Sequence, residues 1–521
     1  MAGASPSAAA GLTLRMLAAS PSAVDGGASP ADVVAARLRA AGIAEEAIAE
    51  KRAMFGRAAQ RLIDEGLAPE VHAKAFWVPG RIEIAGKHTD YAGGRSLLAA
   101  TSRGFAVVSV DRDDDICRIF TAFGGSLGRS SASLRIHKDL EPQQGHWSAY
   151  PATAIRRLAR NFDIHSGVDV AVECDLPESS GMSTSSAVIC YMWVILAERN
   201  GVQATDKFRE HLKTPEELYS YLGFIENGQN CGSVLVGDKG VGTFGGSEDH
   251  TAIMSCDPNT IKMFSYCPTK HEGTFNFPED SVFVIAVSGA IAEKTGNAMA
   301  DYNNAAFLAR DAAAAWCKST GKTPLDGETF VQGRPNLAEV VRHSRAESEE
   351  KSEEKLRSEI SEAIARVDDG KTFGPNPDDP SVRYAKGSLK ERFEQFFDES
   401  EIMVPKIAKA LADSDYDGLG KWSDESHRQT VECLRNIVPE TAWLPQEARR
   451  RGALGASAFG AGFGGSCWAL VRKRGAEAFA DDLGEAYRKK FPRCADRSTF
   501  FVMAPGPGAF SVHGAADGRA A

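Results

Sequence analysis

"LPESSGMSTSSAVIC", residues 176–190, ends one pattern and begins another. Ahead of it, "GVDVAVECDLP" reads as a strand. From Ser185 onward the chain is strongly apolar and reads as a buried helix. The chain must turn between the two, and Gly181 supplies the turn. Four hydroxyl residues, Ser183, Thr184, Ser185 and Ser186, then open the helix. An N-cap needs one hydroxyl. Four behind a glycine turn predict a phosphate site, because free amides at a helix start carry partial positive charge. No G-x-x-x-x-G-K-[ST] occurs, so this is not a Walker loop. "GVGTFG" (Gly240–Gly245) fits a dinucleotide fingerprint, but the "GSEDHTAIM" after it is too polar and comes too soon for the required helix.

Residues 80–94, "GRIEIAGKHTDYAGG", raise a second question. A strand running into a turn needs the glycines. It does not need Lys87, His88 and Asp90 crowded ahead of them. An Asx-type turn with a satisfying histidine is one account of His88 and Asp90.

The 521 residues exceed one ordinary core and predict two domains. A net charge of −10 argues against a nucleic-acid partner but permits a local cationic pocket for phosphate. Ten scattered cysteines without a C-x-x-C pair indicate neither a zinc module nor a disulfide framework. They read as buried thiols of a reducing compartment. No apolar run is long enough to span a bilayer, so no membrane partner is expected. Residues 1–30, rich in Ala, Ser, Gly and Pro, read as a disordered tail, and the protein as cytoplasmic. A helical pattern runs from about Ala31 to Gly66, and "AFWVPGRIEIAG" reads as strand, turn and strand around Pro79 and Gly80. "GFAVVSVDRDDDICRIFTAF" reads as a hairpin with its tip at Asp113–Asp115. Residues 341–366 read as a charged, solvated helical segment.

Taken together, separated motifs resemble the GHMP kinase superfamily, and specifically its galactokinase branch. "GRIEIAGKHTDYAGG" is similar to G-R-[VI]-N-[LI]-I-G-E-H-x-D-Y-x-G-G, and "PESSGMSTSSA" to P-x-x-x-G-L-S-S-S-A. "FGAGFGGSCWALV" resembles the third, C-terminal glycine motif. "GGSEDH", "DYNNAAFLAR" and "DESHRQT" resemble the G-I-M-D-Q turn, the Y-N-x-R helix and the S-H-x-S segment, in the right order. The resemblance implies an α+β, two-domain GHMP kinase fold with the active site in the interdomain cleft. Residues 31–280 would form an N-terminal domain like ribosomal protein S5 domain 2, and 281–515 a ferredoxin-like C-terminal domain. It further implies an ATP-dependent kinase of the anomeric hydroxyl of galactose or a related sugar, with Mg2+, working as a monomer or weak dimer.

By the same resemblance Asp249 is the base and Arg81 stands beside it. Arg81, Lys87, His88, Asp90, Gly246, Asp249 and Tyr302 would hold the sugar. Pro177, Ser180, Gly181, Met182, Ser183, Thr184, Ser185 and Ser186, with Gly462 and Gly464, would cradle ATP, and Ser185 and Glu226 would hold Mg2+. Glu248 is a rival carboxylate to Asp249. Glu226 precedes Asp249 by 23 residues, where the family spacing is about a dozen. An insertion around "SVLVGDKGVG", expected as a surface loop, explains the difference.

Four positions depart from the family pattern: Lys87 for glutamate, Glu83 for asparagine, His250 for glutamine and Ser186 for alanine. Lys87 implies either an anionic C6, as in a uronic acid, or a side chain pointing at solvent with galactose as substrate. An inactive sugar and ATP sensor is the alternative of another class. Gly181, Ser183, Ser185 and Asp249, all present, favour an enzyme.

Overall fold

The computed structural model describes residues 11–19, 30–123, 129–178, 180–290, 298–324, 335–347, 352–374 and 383–514. Seven strands of the first sheet come early in the chain: β1 (Lys74–Ala85), β2 (Arg95–Asp111), β3 (Ile116–Phe123), β4 (Arg129–Arg135), β5 (Val168–Cys174), β6 (Thr260–Ser265) and β7 (Lys270–Asn276). The second sheet holds β8 (Ser281–Val287), β9 (Gly455–Phe459), β10 (Ser466–Arg472) and β11 (Thr499–Met503), in the order β11-β8-β10-β9. β12 (Phe510–Ser511) then returns to the first sheet, whose order is β12-β1-β2-β5-β3-β4 with β6 on β2 and β7 on β6. The second sheet thus starts at Ser281, but the end of the chain rejoins the first.

β2 is long enough for its two halves to take different partners: Phe105–Asp111 pairs with β5, and Arg95–Leu98 with β6. The expected hairpin between β2 and β3 does not form. β5 lies between them, antiparallel to β2 and parallel to β3. Its Val168, Val170 and Val172 are buried, as suits a strand paired on both edges. The connection at 112–115 is tied down by ion pairs from Arg112 to Asp114 and Asp169, and from Arg135 to Asp115.

The expected turn at Pro79–Gly80 is also corrected, because β1 runs through it with a register shift between Pro79 and Arg81. A Cβ on Gly80 would lie 2.7 Å from the Met182 carbonyl oxygen and 2.8 Å from Leu176. The glycine lets the strand touch the phosphate loop, and Arg81 N donates to Met182 O at 3.2 Å.

The helix Thr184–Arg199 is buried along almost its whole length. It shares one core with Phe283, Ile285, Trp468 and Leu470 of the second sheet. The alternate residues Val282, Val284, Ala469 and Val471 join a second cluster with Leu444, Ala448, Ala480 and Leu483 of the helices Pro439–Arg450 and Ala476–Lys490. Period-two alternation therefore covers both faces of that sheet.

A third cluster joins the helices Ala298–Thr320, Leu337–Ala346, Glu353–Ala365 and Ser388–Phe397. The charged stretch within 341–366 does present a solvated face, but the segment also has a buried one. Glu353–Ala365 carries Leu356, Ile360, Ala363 and Ile364 into this cluster on one face, and its charges decorate the other. The tail expected over 1–30 is corrected for residues 11–19. Leu12, Leu14 and Leu17 are buried, and Thr13 forms a β-bridge with His72. Three closely spaced leucines suffice to dock an otherwise small-residue segment. Residues 1–10 and 20–29 lie outside the described part. Among the described residues no helix is long and apolar enough to cross a membrane.

Candidate active site

β1, the phosphate loop, the end of the helix Pro215–Asn227, the start of the helix Glu248–Ser255 and the β9–β10 turn meet at one cleft. Arg81, only 3% exposed, is central to it. Its Nε and Nη2 both lie 2.6 Å from Asp249 Oδ1. Its Nη1 donates to the Gly181 carbonyl at 2.6 Å, and its Nε lies 3.7 Å from Glu248 Oε1. Burial works against the guanidinium charge, but Asp249, Glu248 and Glu83 outweigh it and raise the pKa.

Asp249 Oδ2 accepts from Ser186 Oγ at 3.2 Å, and Ser186 Oγ lies 2.8 Å from Glu226 Oε2. One hydroxyl proton thus serves two carboxylates. Ser185 Oγ reaches Glu226 Oε1 at 3.5 Å, and His250 Nε2 lies 3.1 Å from Glu226 Oε2. The long sequence gap between Glu226 and Asp249 is therefore closed in space. The intervening segment is only partly the surface loop expected. Val234 and Val236 are exposed, but Leu235 is buried and Asp238 forms a buried pair with Arg156 at 2.8 Å.

At the other end, Asp90 Oδ2 accepts from Glu248 N at 3.2 Å. Burial pushes the Asp90 carboxyl up to about 6, although the amides of Tyr91 and Glu248 pull the other way. A Cβ on Gly246 would lie 2.3 Å from Asp90 Oδ2, so glycine is required for that approach. His88, at φ 56°, bonds Tyr91 Oη at 2.9 Å and Asn436 Nδ2 at 2.9 Å. Tyr302 also lines the cleft, and burial raises its phenol well above the usual range. Glu248 accepts from Ser96 Oγ at 2.6 Å, and burial, with Glu83 and Asp90 beside it, lifts its carboxyl well above the usual range. Both carboxylates meet Arg81, Asp249 Oδ1 at 2.6 Å and Glu248 Oε1 at 3.7 Å, so Asp249 makes the closer pair.

Lys87 is placed differently from either expectation: it neither lines the cleft nor points at solvent. It is 1% exposed, and its Nζ lies 3.5 Å from Glu83 Oε1. Its amide and that of Gly86 donate to Glu399 Oε1 at 3.1 and 2.7 Å. Glu83 lines the cleft instead.

The phosphate loop has the features of an anion cradle. Ser180 and Ser183 are buried, and their hydroxyls have no hydrogen-bond partner among the described residues. Ser183, at φ 60°, begins the helix with no side-chain cap, so the first amides remain available. Of the loop residues singled out, Ser186 reaches the sugar cleft; Pro177, Ser180, Gly181, Met182, Ser183, Thr184 and Ser185 lie outside its lining. The Met182 side chain is buried in the core. Gly462 and Gly464, at φ 86° and 131°, shape the β9–β10 turn without lining that cleft, which Gly460 and Ala461 do. The turn backs onto the loop, with Ser466 Oγ donating to Ser180 O at 2.6 Å.

Among the described residues no cluster of three or more His, Cys, Asp or Glu could hold a metal ion. Ser185 and Glu226 nevertheless offer two hard oxygen donors beside the loop, which suits a magnesium ion that takes its other ligands from phosphate and water. Sequence reasoning missed Asn436, which reaches His88 from 348 residues away, and it gave Glu83 no place in the cleft.

Three family profiles match the chain: the GHMP kinases N terminal domain at residues 149–234, the GHMP kinases C terminal at 407–489, and the Galactokinase galactose-binding signature at 70–109. Profiles of both GHMP kinase domains, with a galactokinase signature between the termini, thus match this chain. The similar proteins are galactokinases. The galactokinase of Lactobacillus helveticus is 23% identical over 443 residues, covering 81% of this chain and 92% of its own. That of Clostridium perfringens (strain 13 / Type A) is 25% identical over 445 residues, covering 83% and 94%. The solved Lactococcus lactis galactokinase complexed with galactose superposes with a TM-score of 0.61 at 21% identity, covering 84% of this chain and 94% of that one. It shares the α+β, two-domain GHMP kinase fold.

Proposed function

We propose that this protein transfers the γ-phosphoryl group of ATP to the anomeric hydroxyl of galactose or a closely related sugar. One observation carries the reading: Arg81, Asp249, Ser186 and Glu226 form a continuous polar chain from the sugar cleft to the phosphate loop. Asp249 accepts the proton of the attacking hydroxyl. The new bond forms between that oxygen and the γ-phosphorus, and the bond to ADP breaks. Arg81 offsets charge at the transferring group, and the uncapped amides after Ser183 hold the phosphates. Phosphoryl transfer needs positioning and charge stabilisation more than a strong base. Ser185 and Glu226 would hold Mg2+, which would supply charge neutralisation for the phosphates.

The test is ADP release from ATP and Mg2+ over a panel of hexoses. Turnover on galactose supports the reading. Silence on the whole panel, with sugar and ATP still raising the melting temperature, supports the inactive sensor instead.

A further inference from the structure

Lys87 is the residue that suggests an acidic sugar, and its surroundings reverse that suggestion. The ammonium is buried behind Glu83, with its Nζ 3.5 Å from Glu83 Oε1. Glu83, not Lys87, lines the cleft. Gly460 N donates to Glu83 Oε2 at 3.0 Å, and Glu83 Oε1, buried and facing Lys87, has no hydrogen-bond partner among the described residues. With Glu83 in the lining and Lys87 outside it, a ligand meets the carboxylate of the pair first. Asp90 and Asp249 add carboxylates to the same lining, and Arg81 is already engaged by Asp249.

We propose that Glu83 is a specificity-determining residue that fits this cleft to an uncharged sugar and rejects the matching uronate. The proposal rests on the sugar-kinase reading above and adds the substrate's charge class and the residue that sets it. A hydroxymethyl group donates readily to a carboxylate, whereas a second carboxylate placed nearby is repelled at reduced dielectric. Lys87 holds Glu83 in place and offsets its charge from the protein side, away from the ligand. Discrimination of this kind works by penalising the wrong partner.

The experiment measures kcat and KM for galactose and galacturonate with the full-length chain. The wild type is expected to favour galactose in kcat/KM by about a hundredfold. Glu83→Gln is expected to narrow that ratio by about tenfold, mainly through KM for galacturonate, with KM for ATP unchanged. Removing Glu83 alone leaves a buried ammonium, so the doubly neutral Glu83→Gln, Lys87→Met variant keeps the test open if the single variant does not fold. A wild type that prefers galacturonate overturns the proposal. So does an unchanged ratio in a folded variant, while wild-type turnover on galactose leaves the kinase reading standing. Wild-type silence on every sugar removes the kinase reading, and this proposal falls with it.

Discussion

Between Ser180 and Ser186 the chain offers hydroxyls and amides and no charged side chain, whereas Glu83, Asp90, Glu248 and Asp249 crowd around the single guanidinium of Arg81. On the proposed reading, the first end would meet a highly charged ligand with dipoles fixed in place by Gly181 and the helix Thr184–Arg199. The second would meet a neutral ligand with full charges held in balance. A fixed dipole tolerates a changing phosphate charge without reorganising. A balanced set of carboxylates instead reads hydroxyl positions, since each oxygen left without a donor disfavours binding. Asp249 belongs to both ends, through Arg81 on one oxygen and Ser186 on the other.

That contrast can be broken at its junction. Asp249→Asn should lower kcat by about 10²–10⁴-fold with a much smaller change in sugar KM, read by steady-state ADP release. At the dipole end, Gly181→Val places a β-branched residue at φ 71°, which should weaken ATP binding by about tenfold or more in a calorimetric titration. Unchanged nucleotide affinity would move the phosphate site away from this loop.

At the charged end, Asp90 titrates at about 6 because burial raises it. If the sugar binds its ionised form, kcat/KM should fall about tenfold per pH unit below about 6, and Asp90→Asn should remove that limb. The sign for stability is opposite. The folded state holds this proton more tightly than the ordinary carboxylate at 3.8, so the ligand-free protein gains stability from this group as pH falls from about 6. Melting temperature and activity should therefore move in opposite directions there. The smallest effect on turnover is expected from Lys87→Met, which strips a buried carboxylate of its counter-charge. It should destabilise the fold by about 3 kcal/mol in urea while kcat changes little.

The strand, turn and helix around Gly181 were legible because their signal is local: a strand, a glycine turn and hydroxyls at a helix start sit within a few residues. The α+β fold followed from motif order. What escaped was non-local. β5 displaces the β2–β3 hairpin because strand pairing is decided by burial across the sheet, which the sequence around Asp113–Asp115 does not record. Lys87 and Glu83 were each visible as departures from the family pattern, but not as partners. Spacing alone does not bring them together, and β1 carries a further register shift between Glu83 and Ala85. The leucines at 12, 14 and 17 were hidden by the alanine and serine around them.

The short strand Phe510–Ser511 has a consequence for how the molecule is made. It covers the edge of β1 at Phe76 and Trp77, and it comes from the far end of the chain. On a ribosome, the strand that carries Arg81 emerges early yet keeps one side open until Phe510 and Ser511 have been made. That interval is when a nascent chain is most exposed to mispairing. A fusion placed directly after Ser511 would press on the same edge.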